Sequence, residues 1–384
     1  MNKTNLLYVV YGFHQAGAER FTYELDKALD KTKFNLTILC LQSKNQKNDI
    51  WKESYYIDRH KELGTEIIFF DKYKPSKLII NRAIRKTKRA ITNTQSKDFK
   101  SNLIPFLNKF DLIHWMGEYT YLHHLPMKIQ EKSLICVMSA KFQNPKIYQK
   151  FNLNLRYNLT SGFSEQECKF EFSEFKTYKH WYIPLLMNLS NQTRIWEYKN
   201  SPIKKIGIFT RLDRYKPLDP FFYAFHILLN EIADCELHIY GNGDPVKEGL
   251  DRYLNNLGIR EKVFFRGHQD NIVTTLTNEH IDLSWFQGYN NNRPAGYAGF
   301  DVCSTGTPLI CWDFLEKPTN PCNEVYPHYK NLLHFVKKSV EILTNEIEAT
   351  NLSEKQFNDI LQNRDINRNF YLIEKAYSDI LHRT

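Results

Sequence analysis

Short apolar runs alternate with amphipathic stretches along nearly the whole chain, and this alternation leaves few folds open. In the first half, runs with β-branched or aromatic content fall at Leu6–Tyr11, Phe34–Leu41, Thr65–Phe70, Asp111–His114, Leu134–Met138, Leu159–Phe163 and His180–Ile183. Helical spacing lies between several of them, as at Ala18–Leu29 and Ser76–Ile91. The polar stretch Asn188–Pro202 interrupts the pattern and reads as a linker. Alternation then restarts, with strands at Lys205–Phe209, Glu236–Tyr240, Val263–Arg266, Asp282–Phe286 and Pro308–Cys311. Helices are expected at Leu218–Ile232, Pro245–Leu257 and from about Tyr297, and from Lys330 onward only helices are expected. Strand–helix alternation implies parallel sheets covered by helices. With 384 residues there is chain for two domains, which predicts an α/β protein of two Rossmann-like, doubly wound domains facing a cleft. Ligands in such sheets sit beyond the carboxyl ends of the strands.

Composition narrows the function classes. No apolar run approaches the roughly 18 residues of a membrane span, and the run after Met1 is too short for a secretory signal, so a cytoplasmic protein is expected. The seven cysteines are scattered and form no CxxC pair, which predicts buried free thiols rather than disulfides or a zinc site. The net charge is +9, and the segment Asp71–Lys100 holds ten Lys/Arg against two Asp. Within it, residues 76–91 read either as a basic amphipathic helix suited to an anionic membrane surface or as a helix packed on the sheet with its charges in water. No nucleic-acid recognition motif accompanies this charge, and no nucleic-acid partner is expected.

Glycine is scarce, 15 residues in all, so its placement carries information. Gly12 and Gly17 flank a loop directly after the first strand, with His14 between them. Phe209-Thr210-Arg211 ends the first strand of the second half, and Lys216 follows five residues after Arg211; two such cations can grip phosphate oxygens. Tyr240-Gly241-Asn242-Gly243 is a turn, expected to be mainly structural, and His268 follows a strand that ends at Gly267. The sharpest cluster runs from Arg293 through Gly296, Tyr297 and Asp301 to Gly306-Thr307-Pro308. There a loop enters a helix whose first amides face an anion, with a carboxylate one turn inside able to accept from sugar hydroxyls.

In this order the clusters resemble the large retaining glycosyltransferase family 4 of the GT-B fold, over the whole chain. Gly17-Ala18-Glu19-Arg20 is similar to the end of the family's Gly-Gly-Ala-Glu-Arg loop, and Thr160–Glu165 to a strand ending in Val-Ser-Glu. Arg211 and Lys216 fall on the diphosphate-binding Arg and Lys, Tyr240–Gly243 on a Val-Gly-Asp-Gly turn, and Asp301–Ile310 on Glu-Ala-Met-Ala-Cys-Gly-Thr-Pro-Val-Ile. The resemblance implies an acceptor-binding domain over 1–187, a nucleotide-sugar domain over 188–365, and a final helix in 366–384 crossing back to the first. Departures stand beside the matches. Arg293 occupies the place of the first of two acidic residues, Asp301 that of the second; Ala16 and Thr210 replace glycines; Met116 stands where a loop histidine often lies, leaving His114 or Glu118 as substitutes.

The function so implied is transfer of a sugar, with retention, from a nucleotide-diphosphate sugar (a UDP-sugar expected) to a glycan or lipid-linked acceptor, in the manner of surface polysaccharide synthesis. Arg211 and Lys216 would stabilise the departing diphosphate, with Glu118 as a further catalytic candidate. Gly17, Gly241, His268, Arg293, Gly296, Tyr297 and Asp301 would complete the donor site, and His14, His114 and Glu118 would face the acceptor, unless His114, at a strand end, is structural. Neither a metal nor another cofactor is expected. Arg293 either contacts the donor sugar or merely tops the loop 290–292. The alternative is a non-catalytic subunit of the same fold that binds a partner glycosyltransferase or a glycan.

Overall fold

The computed structural model describes residues 3–42, 54–70, 103–117, 122, 125–137, 157–162, 177–190, 192–212, 216–289, 293–294, 296–313 and 325–382. The chain divides into two compact units, Met1–Met187 with Asn369–Thr384, and Asn188–Arg368.

The first unit is built on a seven-stranded sheet of β1 (Thr4–Val10), β2 (Phe34–Cys40), β3 (Glu66–Phe69), β4 (Leu112–Met116), β5 (Ser133–Val137), β6 (Tyr157–Ser161) and β7 (Thr177–Tyr182), in the order β3-β2-β1-β4-β5-β6-β7. Every pairing is parallel. Strands buried on both faces need near-continuous apolar runs, and β1 is a direct case: Leu6, Leu7, Tyr8 and Val9 are all fully buried. Helix α1 (Gly17–Ala28) follows β1, and α2 (Tyr55–Glu62) packs beside it. The strand order reverses between β1 and β4, which makes the ends of those strands the switch point.

Three buried polar groups hold α1 and α2 together. Asp26 of α1 is fully buried and is bonded by His60 Nδ1 of α2 at 2.6 Å, by the Thr65 hydroxyl at 2.8 Å and by Lys31. A second buried network ties a C-terminal helix, α11 (Tyr371–Leu381), to the same sheet. The Tyr377 hydroxyl donates to the Tyr8 hydroxyl at 2.9 Å and meets His114 Nδ1 at 3.0 Å, while His114 Nε2 lies 2.9 Å from Thr160 Oγ1. Asp379 accepts from Trp181 Nε1 at 3.2 Å and pairs with Lys179.

The second unit repeats the arrangement with β8 (Lys204–Phe209), β9 (Cys235–Tyr240), β10 (Val263–Gly267), β11 (Leu283–Tyr289), β13 (Leu309–Trp312) and β14 (His328–Tyr329), ordered β10-β9-β8-β11-β13-β14. A two-residue strand β12 (Arg293–Pro294) pairs antiparallel with the end of β11. Before α11, in chain order, the helices are α3 (Met127–Glu131), α4 (Asp219–Leu228), α5 (Leu250–Asn256), α6 (Ile272–Asn278), α7 (Tyr297–Ser304), α8 (Leu332–Thr344), α9 (Glu346–Asn363) and α10 (Ile366–Asn369). The core gathers Phe221, Phe222 and Phe225 of α4 against Trp285 and Phe335.

Several local expectations are corrected. The helix expected from Pro245 begins only at Leu250, because Gly249 adopts φ +70° and interrupts the helical backbone. Helix α4 starts at Asp219, one residue after the expected Leu218, with Pro220 in its first turn, and ends at Leu228 rather than Ile232. Among its described residues the stretch expected as a linker has no helix or strand, but it is anchored: Ile195 and Trp196 both donate to the Thr305 carbonyl at 3.0 Å, and the buried Trp196 donates through Nε1 to Ile281. Five described cysteines (Cys40, Cys136, Cys235, Cys303, Cys311) are buried free thiols. Among the described residues no helix is long and apolar enough to cross a membrane. The basic segment 76–91 lies outside the described residues.

Candidate active site

The second unit's switch point lies between β8 and β11, and both sharp motifs follow those strands. Thr210 and Arg211 leave β8 as an irregular segment held by backbone bonds: Thr210 N–H donates to Tyr240, and Leu212 N–H donates to the Asn242 carbonyl at 2.7 Å. The glycine turn after β9 lies directly against this segment. A Cβ on Gly241 would fall 1.6 Å from the Thr210 carbonyl oxygen, and one on Gly243 2.4 Å from Leu212 Cβ. Only bare backbone fits there. The turn therefore acts on the site by fixing the backbone of Arg211, in keeping with a structural reading of Gly241. Arg211 and Lys216 are both half-buried, on either side of residues 213–215, which lie outside the described set.

After β11 the chain makes a hairpin-like return, with Tyr289 opposite Arg293 and Gly288 opposite Pro294, and then enters α7. Gly296 is the residue before the helix and has φ +83°, a conformation that strains any other residue. It carries no side chain to cap the helix, so the first-turn amides beginning at the buried Tyr297 are the groups that face outward from the helix start. Asp301 lies in the second turn and is 8% exposed. The far end of α7 is clamped: Gly306 (φ +86°) has its carbonyl bonded by Ser353 of α9, and Gln356 bonds both N–H and C=O of Leu309. These contacts explain the Gly306-Thr307-Pro308 run as a buried corner. His268 follows β10, which is separated from β8 by β9, and pairs loosely with Asp270 at 3.5 Å. Of Arg293 only the backbone is described.

In the first unit, α1 begins at Gly17 after the extended Ala16 (φ −138°), which offers no side-chain cap. His14 is buried in the loop before it. His114 is not available to an acceptor. It is fully buried in β4, both ring nitrogens are engaged by Tyr377 and Thr160, and burial lowers its pKa to about 3. The expectation that it faces the acceptor is corrected on that ground: the ring is a neutral structural group. Glu118 lies outside the described residues.

Two features escaped the sequence reading, and a third, Glu19, was read only as part of a loop motif. Gln42, at the end of β2, and Glu19, in the first turn of α1, stand near the same strand ends as His14. In the second unit, Gly288 ends β11 against Asp313 and His328; a Cβ there would lie 3.1 Å from Asp313 Cβ and 2.6 Å from His328 Cδ2. Gln42, Asp313 and His328 belong to no motif, and the only signal for them is their position just past or within a short strand. Among the described residues no group of three or more His, Cys, Asp or Glu is placed to hold a metal ion.

No family model matches the chain. A curated protein, the poly(glycerol-phosphate) alpha-glucosyltransferase of Bacillus subtilis (strain 168), is 25% identical over 112 residues, 29% of this chain and 16% of that protein. Solved structures are similar over the full length. Sucrose-phosphate synthase from Thermosynechococcus elongatus matches with a TM-score of 0.68 at 14% identity, covering 100% of both chains. Anabaena HepE in complex with UDP and glucose matches at 0.66 and 11% identity, over 98% of this chain and 100% of that one. S. aureus TarM, as a variant in complex with fondaparinux, alpha-GlcNAc-glycerol and UDP, matches at 0.66 and 11%, over 99% and 100%. At these identities the likeness is one of fold, and that fold is the GT-B pair of Rossmann-like, parallel-sheet domains.

Proposed function

We propose that the protein is a retaining glycosyltransferase that moves a hexose from a UDP-sugar to a hydroxyl of a glycan or glycolipid, in the synthesis of a surface polysaccharide. The observation that supports this reading is one of order: Arg211 and Lys216 follow β8 and α7 follows the return after β11, and β8 and β11 are the strands that meet at the switch point. The UDP held by HepE and TarM supports the same donor class here.

In this reading Arg211 and Lys216 meet the oxygens of the diphosphate, and the amides from Tyr297 onward add the positive end of α7. These charges are fixed before the reaction, so they stabilise the leaving group as the bond from the sugar carbon to phosphate oxygen breaks. The acceptor oxygen bonds to that carbon on the same face and its proton passes to the departing phosphate oxygen. Asp301 accepts from the ribose hydroxyls. Arg293, where a relative of this kind carries an acid, provides a cation at the donor-sugar end, which favours a sugar with its own negative charge.

The test is turnover. Arg211→Ala and Lys216→Ala are each expected to lower UDP release from a panel of UDP-sugars by about 10²–10³ without loss of folding. Near-normal rates in both variants would refute the phosphate-site assignment. Segment 76–91 would bring the enzyme to a lipid-linked acceptor at an anionic leaflet, at about 1 kcal/mol per basic residue. Co-sedimentation that requires anionic vesicles and falls with salt checks this, and equal sedimentation with neutral lipid removes the membrane.

A further inference from the structure

Helix α7, which the proposed function places at the donor, meets α9 through polar groups where a contact between helices is ordinarily apolar. Ser353 of α9 donates to the Gly306 carbonyl, just past the end of α7. Gln356 is fully buried. Its Oε1 accepts from Leu309 N–H at 2.9 Å and from Cys303 Sγ of α7 at 3.8 Å. Its Nε2 donates to the carbonyls of Leu309 at 2.7 Å and Val325 at 2.9 Å. Residues 353 and 356 are three apart and so share one face of α9. Arg364 follows directly after that helix.

Nearer the start of α7 the contact is of another kind. Arg364 sets its guanidinium carbon 3.6 Å from the centroid of the Phe300 ring. Phe300 is the fourth residue of α7 and is fully buried, and Arg364 is 2% exposed. The Tyr326 ring meets Phe300 edge-on at 6.0 Å, and the Tyr326 hydroxyl donates to Asp359 Oδ2 of α9 at 2.6 Å. Phe300 is therefore held both by a cation and by a tyrosine that α9 anchors.

Stability alone does not account for this arrangement. Arginine is seldom buried, and apolar residues of similar volume often replace a buried charge without loss. What a guanidinium stack and directed hydrogen bonds supply, and a purely apolar contact does not, is one fixed placement. In the proposed reaction α7 needs that. Its first amides and Asp301 act only if they stand where charge develops, to within about half an ångström. Asp301 is the residue after Phe300, so a shift of Phe300 passes to it through one peptide bond. We propose that Arg364 is a positioning residue: by seating Phe300 it fixes the start of α7, and with it the donor contacts of the Tyr297 amide and of Asp301. This rests on the glycosyltransferase reading and deepens it with a residue that belongs to none of the motifs.

The experiment combines calorimetric titration with UDP and hydrogen exchange in the peptide covering α7, both on the full chain. Arg364→Met keeps an apolar stem and drops the charge, Arg364→Lys keeps a cation over the ring, and Phe300→Leu removes the ring. Arg364→Met and Phe300→Leu are each expected to weaken UDP binding about tenfold, a loss comparable to one charged hydrogen bond. Both should speed exchange in α7 and leave α8 unchanged. Arg364→Lys is expected to stay within about threefold of the wild type. The double variant Arg364→Met/Phe300→Leu should bind UDP about as weakly as either single variant, not about a hundredfold below the wild type. A residue that only stabilised the fold would lower the urea midpoint in Arg364→Met and leave the UDP affinity of the folded protein alone. That result overturns the proposal, as does an Arg364→Lys variant as weak as Arg364→Met. Should Arg364→Met fail to fold, Phe300→Leu decides, and unchanged UDP affinity there overturns the proposal. A wild type that binds UDP beside an unchanged Arg364→Met removes the role of Arg364 and spares the donor reading; a wild type that binds no UDP removes both.

Discussion

Removing one oxygen atom from Tyr377 tests how the first unit is held together. The side chain is fully buried, and its hydroxyl is shared between the Tyr8 hydroxyl at 2.9 Å and His114 Nδ1 at 3.0 Å. Tyr377→Phe keeps the edge-on ring contacts with His114 and Phe34, at 5.7 and 5.9 Å between centroids, so packing barely changes. The Tyr8 oxygen loses its donor and the His114 Nδ1 proton loses its acceptor. Each buried polar group left without a partner costs about 1–3 kcal/mol, so the variant is expected to lose about 2–5 kcal/mol. Tyr8→Phe removes one of the stranded groups. The double variant should then be more stable than the sum of the two single losses by about 1–2 kcal/mol. Urea unfolding supplies the free energies, and hydrogen exchange in the peptide covering α11 supplies the locality: its amides should exchange faster in Tyr377→Phe while those of α8 do not. An unchanged unfolding midpoint, or strictly additive losses, would refute the reasoning.

Two further outcomes are expected. Asp301→Ala should weaken UDP binding by about 1.5–3 kcal/mol, the worth of a charged hydrogen bond, while Asp301→Glu is tolerated; unchanged affinity in a calorimetric titration of the Ala variant removes Asp301 from the site. Two groups of the first unit should make its stability depend on pH, with opposite signs. His114, depressed by burial from 6.5 to about 3, contributes stability that is present above pH 6.5 and is lost as pH falls toward 3. Glu19, raised from 4.5 to about 7, makes stability fall as pH rises through that range. Glu19→Gln should therefore match the wild type in urea midpoint near pH 4.5 and exceed it at pH 8 by up to about 3 kcal/mol; a gap independent of pH rejects the buried, unpaired carboxylate.

The strands were legible because parallel strands buried on both faces leave an apolar signature in the chain. Leu6–Val10 and Leu283–Phe286 carry it plainly, and most boundaries fall within two residues. Helix α2 was not legible. Tyr55–Glu62 has Ile57 as its one aliphatic residue, and its buried face is made of Tyr56 and His60, the latter satisfied by an aspartate 34 positions away. The same limit hides the Tyr8–His114–Tyr377 network, whose members are separated by up to 369 positions. At the site, the glycines and cations could be found from their spacing after strands. What each glycine is for could not, since Gly241 answers to the carbonyl of Thr210, a contact between two strand ends. Gln42 carries no signal at all until β1 and β2 are paired.

The departures from the family pattern also sort by geometry. Thr210 stands where the resemblance has a glycine; the close approach here is of Gly241 to the Thr210 carbonyl oxygen, so it is at 241 that no Cβ fits. Ala16 replaces a loop glycine, and its φ of −138° and ψ of 171° are extended backbone open to any residue. Gly296 and Gly306 could not be exchanged in this way, having φ near +85°, and both are kept. Glycine thus stands where the backbone requires it, and other residues stand where it does not. The residues at 16 and 210 therefore leave the backbone at both places undisturbed. The departure at Arg293 is of another kind: it exchanges an acid for a cation on the two-residue strand β12, and under the proposed function it would bear on which donor is accepted.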